Sequence, residues 1–232
     1  MLGSLANGLA ILIGGLIGLF FKKGIGENYK KILMDSMGLC ILLIGIMGAT
    51  KAQNILLLIV SLAIGSVIGE YLKIEENLDK LGDFIESKLV KKKGSIAKGF
   101  VTATLVFCIG SMAIIGALES GLNGNHQTLF AKSIVDGILS IIFASTFGIG
   151  VLFSSISVFL YEGFITIAAS SVKMFLVDSV ISDISSVGGV LIIAIGLNIL
   201  DIKKIKVGNM LPAIFIPLIF FILKLMYFKI IH

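Results

Sequence analysis

The sequence has no tryptophan, no arginine, two cysteines, two prolines and two histidines in 232 residues. Each scarcity excludes something. Cys40 and Cys108 both sit inside apolar runs, so they form no disulfide framework and read as small apolar fillers. His126 lies in a polar loop and His232 at the end, so no His/Cys cluster has metal-ligand spacing; neither a metal site nor a cofactor is expected. The same shortage removes Ser/His and Cys/His nucleophile pairs. The chain also lacks a Walker phosphate loop, a G-x-S-x-G elbow and an H-E-x-x-H pair. An enzyme is the least supported class. The positive charge is all lysine and is spread over loop segments, which suits a topology signal and lipid headgroups; nucleic acid is not an expected partner.

What is present in excess is apolar surface: 57% of residues are hydrophobic and only 14% charged. With a mean hydropathy of +1.09, a soluble domain of this length could not bury its own apolar surface, so the bilayer must solvate most of it. The length holds about eight spans of ~20 residues, which gives an all-α, polytopic transmembrane helical bundle forming a single membrane domain over 1–232. Spans are expected near 3–21, 33–49, 54–72, 99–118, 128–146, 149–170, 184–200 and 210–228. The first apolar stretch precedes its lysines, Lys22 and Lys23, the reverse of a secretory signal, so it reads as a retained span with its N-terminus outside. Lysine-rich and lysine-poor loops then alternate, placing both termini outside. The uncharged turn at Thr146–Gly148 breaks the pattern, as a tight inner hairpin or as a helix pair that does not fully cross. Residues 74–90 recur as Ile74, Leu78, Leu81, Ile85 and Leu89 with charges between, an amphipathic helix for the inner surface or a solvated linker.

A shift of 151 positions lays Gly38–Gly45 on Gly189–Gly196, span one on span six and span three on span eight. Five spans separate the partners, so they would be inverted across the membrane, the arrangement of many secondary transporters. Glycine pairs at Gly14/Gly18 and Gly65/Gly69 allow close helix contact, within the monomer or at a dimer seam. Pro212 and Pro217 should kink span eight. Asn7, Asn198 and Asn209 sit near span ends, where capping or interhelical hydrogen bonding is expected.

Between Lys98 and Lys203 only four charged residues fall in the long apolar stretches, Glu119, Lys132, Asp136 and Glu162. A charge at bilayer depth costs roughly 2.5–3.5 kcal/mol on insertion scales and so marks a functional site or a neutralised pair. Lys132 and Asp136 are four apart and share a helix face, with Ser133 beside them; Glu162 is flanked by Tyr161 and Gly163. The glycines of Gly110–Gly137 suggest a broken helix or re-entrant loop along a polar pathway, or an ordinary outer loop.

The stretch GSMAIIGALESGLNGNHQTLFAKSIVDGI, the opening GSLANGLAILIGGLIG and VGGVLIIAIGLNIL with VGNMLPAI together resemble the YqgA/YdfK-like family of bacterial inner-membrane proteins (domain of unknown function 554). The resemblance runs nearly end to end and implies a multi-pass protein of the bacterial inner membrane, with no established substrate or site. From the residues, the leading expectation is a secondary transporter or ion-coupled permease for a small solute or ion. Asp136 and Glu162 are the candidate proton or cation sites, and Lys132 the counter-charge or anion contact. Ser111 and Glu119 would line the outer mouth, and Ser133 and Tyr161 would flank the charges. The rivals are a channel formed by a homo-oligomer around a polar axis and a non-transporting membrane scaffold.

Overall fold

The computed structural model describes residues 1–22, 27–80, 96–108 and 111–231. Among the described residues all regular structure is helical. The elements are α1 (Leu2–Lys22), α2 (Glu27–Ala49), α3 (Ile55–Leu72), α4 (Ile96–Cys108), α5 (Ser111–Asn123), α6 (Gln127–Phe147), α7 (Gly150–Ile167), the short α8 (Ala169–Val172), α9 (Asp178–Ile199), a 3-10 helix (Val207–Phe215) and α10 (Ile216–Ile231).

Among the described residues six segments are long and apolar enough to cross a bilayer: Leu2–Phe21, Ile55–Leu72, Gln127–Phe147, Gly150–Ile167, Asp178–Ile199 and Val207–Met226. The expected fourth span is instead two helices, α4 and α5, whose axes are bent by 60°; taken as one broken span it makes a seventh. The expected second span is apolar only over Gly38–Ala49, because the first turns of α2 carry Lys30, Lys31 and Asp35. Of the surface helix expected over 74–90, residues 74–80 are helical and the remainder, with Lys91–Lys93, lies outside the described residues. The turn after α6 is a tight hairpin: Gly148 takes φ +83° and α7 starts two residues on.

Local chemistry sets several boundaries. Asn54 caps α3 by accepting from the Leu57 N–H at 3.0 Å, and Lys73 closes it in a left-handed conformation at φ +50°. Asp178 places a carboxylate at the positive end of α9. Pro212 cannot donate to an α-helical ladder, and the segment around it runs as nine residues of 3-10 helix before α10 resumes α geometry, with Pro217 in its first turn.

Small residues decide the packing. Side chains added at Gly14 or Gly18 would collide with the carbonyls of Gly137 and Ile141, so α1 lies backbone to backbone along α6, the two running parallel. Gly65 and Gly69 sit equally close to Ala213 and Asn209 of the 3-10 helix. Both glycine pairs therefore serve packing within the chain. The segments aligned by the 151-residue shift are neighbours. Gly38 meets Leu200 and Gly48 meets Ser185, so α2 and α9 pack antiparallel. α7 touches α1, α4, α5 and α6. Phe107 and Phe143, stacked at 5.7 Å between centroids, fill the core with Val151, Val158 and Leu191. Outward, Leu9, Ile13 and Leu16 of α1 and Leu56, Ile59 and Val67 of α3 are exposed, an apolar exterior that only lipid solvates well.

Candidate functional site: a charge cluster between three helices

Asn7 lies more than 120 residues before the Lys132–Asp136 pair and Glu162, and the α1–α6 and α1–α7 contacts bring them together. On α6, Lys132 and Asp136 are one turn apart and their side chains form an ion pair. Glu162 of α7 reaches the same ammonium, with Oε1 3.5 Å from Lys132 Nζ. Asn7 of α1 closes the group: its Nδ2 donates to Asp136 Oδ2 at 3.1 Å and to Glu162 Oε1 at 2.9 Å. Asn7 and Glu162 are fully buried, and Lys132 and Asp136 are 6% and 5% exposed. One turn toward the N-terminus of α1, the hydroxyls of Ser4 and Thr166 lie 3.3 Å apart. Asn7 is five residues into α1, about 7.5 Å along the helix, so the cluster belongs to the half of the bundle nearer that end.

The glycine seam makes this geometry available. Gly3, Ala10 and Gly14 let α1 approach α6 closely enough for the short Asn7 side chain to span to Asp136. On α7, Gly8 of α1 fits against Phe159 and the Ser155 carbonyl, one turn from Glu162.

Electrostatically the group is unbalanced. One ammonium faces two carboxylates, a net charge of −1 if all three are ionised. Two buried oxygens, Asn7 Oδ1 and Glu162 Oε2, have no hydrogen-bond partner. Such atoms cost about 1–3 kcal/mol each when left unsatisfied, so their pairing is the chemical question the site poses.

The other sequence-selected residues stand elsewhere. Glu119 of α5 accepts from Thr128 Oγ1 at 2.6 Å and, with Lys173 and Asp178, lines a cavity of about 360 Å³. The Ser133 hydroxyl turns back onto the Leu129 carbonyl of its own helix at 2.7 Å and is spent there. Tyr161 is half-buried and packs against the apolar cluster that includes Ile114, Ile165 and Val180, outside the hydrogen-bonded group. Ser111 opens α5, and its side chain lies outside the described residues. A larger cavity of about 470 Å³ at the opposite end is lined by Glu75, Lys98, Thr102, Asn198, Lys204 and Lys206, among others. Neither of these two cavities is lined by Lys132, Asp136 or Glu162.

Sequence reasoning chose Lys132, Asp136 and Glu162 and undervalued Asn7. The usable signal was an amide set in a stripe of glycine and alanine, where a polar side chain must face another helix. Asn198 and Asn209 do act near element ends. Asn198 donates to the Ile205 carbonyl and accepts its N–H, each at 2.7 Å, and Asn209 accepts the Glu75 N–H at 2.7 Å.

A helical bundle with an apolar exterior and a buried charge cluster is a multi-pass membrane protein. Residues 2–222 match the model of the family described as protein of unknown function DUF554, and the chain belongs to that family. It is 38% identical to the uncharacterized membrane protein YdfK of Bacillus subtilis (strain 168) over 221 residues, 94% of each chain. It is 30% identical to the uncharacterized protein YqgA of Escherichia coli (strain K12) over 223 residues, covering 94% of this chain and 95% of that one. No solved structure matches.

Proposed function

We propose that the protein is a secondary transporter of the bacterial inner membrane, in which a proton or monovalent cation at the Asp136–Glu162 cluster is coupled to movement of a small solute. One observation carries the reading: a buried three-helix cluster with more negative than positive charge and two unpartnered oxygens, built inside membrane-length helices. A purely structural ion pair needs no surplus carboxylate. The three segment pairs aligned by the 151-residue shift add support, since each is in contact and antiparallel: α1 with α7 through Ser4–Thr166 and Asn7–Glu162, α2 with α9, and α3 with the 3-10 helix through Gly65–Ala213 and Gly69–Asn209. Helices related by an in-plane pseudo-two-fold would meet in this way near the axis, where transporters of this architecture bind their ions. The cluster holds and passes charge; no covalent chemistry is assigned to it.

The test is flux into liposomes containing purified protein, driven by proton or sodium gradients across a panel of small solutes. Coupled uptake is expected in the wild type, with Asp136→Asn and Glu162→Gln each reducing it by at least tenfold. Uptake unchanged in both variants would remove the cluster from the mechanism. A scaffold is the second reading, favoured by the burial of the three charged side chains within one hydrogen-bonded group. A cysteine placed at Thr166 separates the two. Modification from one side of the membrane at a time fits transport, and protection from both sides under every gradient fits the scaffold.

A further inference from the structure

The two unpartnered oxygens of the cluster belong to groups already joined by one bond. Asn7 Nδ2 donates to Glu162 Oε1 at 2.9 Å, while Asn7 Oδ1 and Glu162 Oε2, the other atoms of the same amide and the same carboxyl, have no partner. An amide and a carboxylic acid form a two-bond ring when the acid carries its proton: the amide N–H meets one acid oxygen and the acid O–H meets the amide oxygen. A single proton thus supplies the donor that both orphans lack. It also cancels the surplus charge of one ammonium set against two carboxylates.

We propose that the cluster holds one exchangeable proton, on Glu162 Oε2 and donated to Asn7 Oδ1, and that Asn7 converts loss of that proton into separation of α1 from α7. The inference rests on the transporter reading above and names its coupling ion. Position selects Glu162 over Asp136. Lys132 makes its direct ion pair with Asp136, whereas it stands 3.5 Å from Glu162, whose second oxygen is left without a partner. A sodium ion fits less well. It needs several oxygen ligands, Ser4 and Thr166 are already bonded to each other, and the Lys132 ammonium occupies the near side.

Release breaks the O–H bond on Oε2, leaves the electron pair on the carboxylate and passes the proton to water, with the Ser4 and Thr166 hydroxyls the nearest relay toward the end of α1. Two acceptors, one now charged, would then face each other, and the α1–α7 contact loses its second bond. The titratable groups around Glu162 are Lys132 and Asp136 from α6, Cys108 from α4 and neighbouring Tyr161 on α7 itself; Asn7 and Ser4 of α1 add only neutral partners, and α8 is Ala-Ser-Ser-Val. Glu119 of α5 is bonded to Thr128 instead.

Infrared difference spectroscopy of the full-length protein in lipid reads the proton directly. At neutral pH a protonated-carboxyl band is expected in the wild type, absent in Glu162→Gln and moved to higher frequency in Asn7→Ala, where the acid loses its acceptor. Glu162→Gln copies the protonated form, because its amide N–H can donate to Asn7 Oδ1, so this variant should fold. It should also keep a pH-independent melting temperature where the wild type loses stability as pH rises. No band in the wild type, or a band surviving in Glu162→Gln, overturns the proposal. A missing band with stabilisation by sodium chloride over potassium chloride replaces the proton with a metal ion and leaves the transporter reading standing. The expected bands without flux under any gradient keep the proton site and remove the transporter.

Discussion

Lys132 is the side chain on which the cluster most depends. Its removal leaves the Asp136 carboxylate buried without a cation, beside the Glu162 carboxyl and the Asn7 amide. Breaking one partner of a buried pair costs about 3–5 kcal/mol, so Lys132→Met should lower the melting temperature in detergent sharply. Adding Asp136→Asn and Glu162→Gln to Lys132→Met should recover most of that loss, because the uncompensated carboxylate at 136 is gone and the Glu162→Gln amide keeps the bonds to Asn7. A triple variant no more stable than the single one would show that Lys132 acts through packing. At this scale the sequence was half legible. Lys132 and Asp136 declare themselves by four-residue spacing in an apolar helix. That Glu162 joins them, and that Asn7 ties both carboxylates, depends on side-chain meetings 129 and 155 residues apart in the chain. The Ser133 hydroxyl donates to its own helix, a bond that four-residue spacing alone does not reveal.

Among elements, the seams are more exacting than the helices. A Cβ at Gly14 would run into the backbone of Gly137, which cannot swing aside, so Gly14→Ala is expected to cost about 1–3 kcal/mol and to loosen α1 from α6. Gly163→Ala, whose Cβ would rest 3.5 Å from the flexible end of Met1, should be close to neutral in the same thermal assay. Equal losses at both sites would argue for a general helix effect over a seam. The segment at 74–80 offers a pH test. Glu75 is half-buried against the 3-10 helix, and that burial, outweighing the Gly208 N–H it accepts at 2.6 Å, raises its carboxyl above the usual 4.5. The docked segment therefore binds the proton more tightly than the undocked one. Docking is strongest below 4.5 and weakens as pH climbs through the raised value. Amide exchange at Gly208 and Asn209 should speed up over that rise, and Glu75→Gln should flatten the change. Existence and type of the long helices were plain from apolar runs. The bend between α4 and α5 and the 3-10 course around Pro212 were visible only as breakers, since glycine and proline say where a helix weakens and neighbouring helices decide its path.

For the molecule as a whole, the lysine distribution predicts the orientation of the bundle. The loop between α5 and α6 has none, and the loop before the 3-10 helix has Lys203, Lys204 and Lys206. In intact cells a cysteine at Asn125 should react with an impermeant maleimide, and one at Lys204 only after lysis; the reverse result would invert the bundle. The cluster also constrains how the protein is made. Thr166 and Glu162 are translated 162 and 155 residues after their partners Ser4 and Asn7, so α1 enters the membrane with a bare amide and α6 arrives with its ion pair half enclosed. Until α7 leaves the ribosome these helices have no finished interface. The insertion machinery must shelter them through most of synthesis, and a nascent chain stalled before Gly150 presents quality-control proteases with polar groups in lipid.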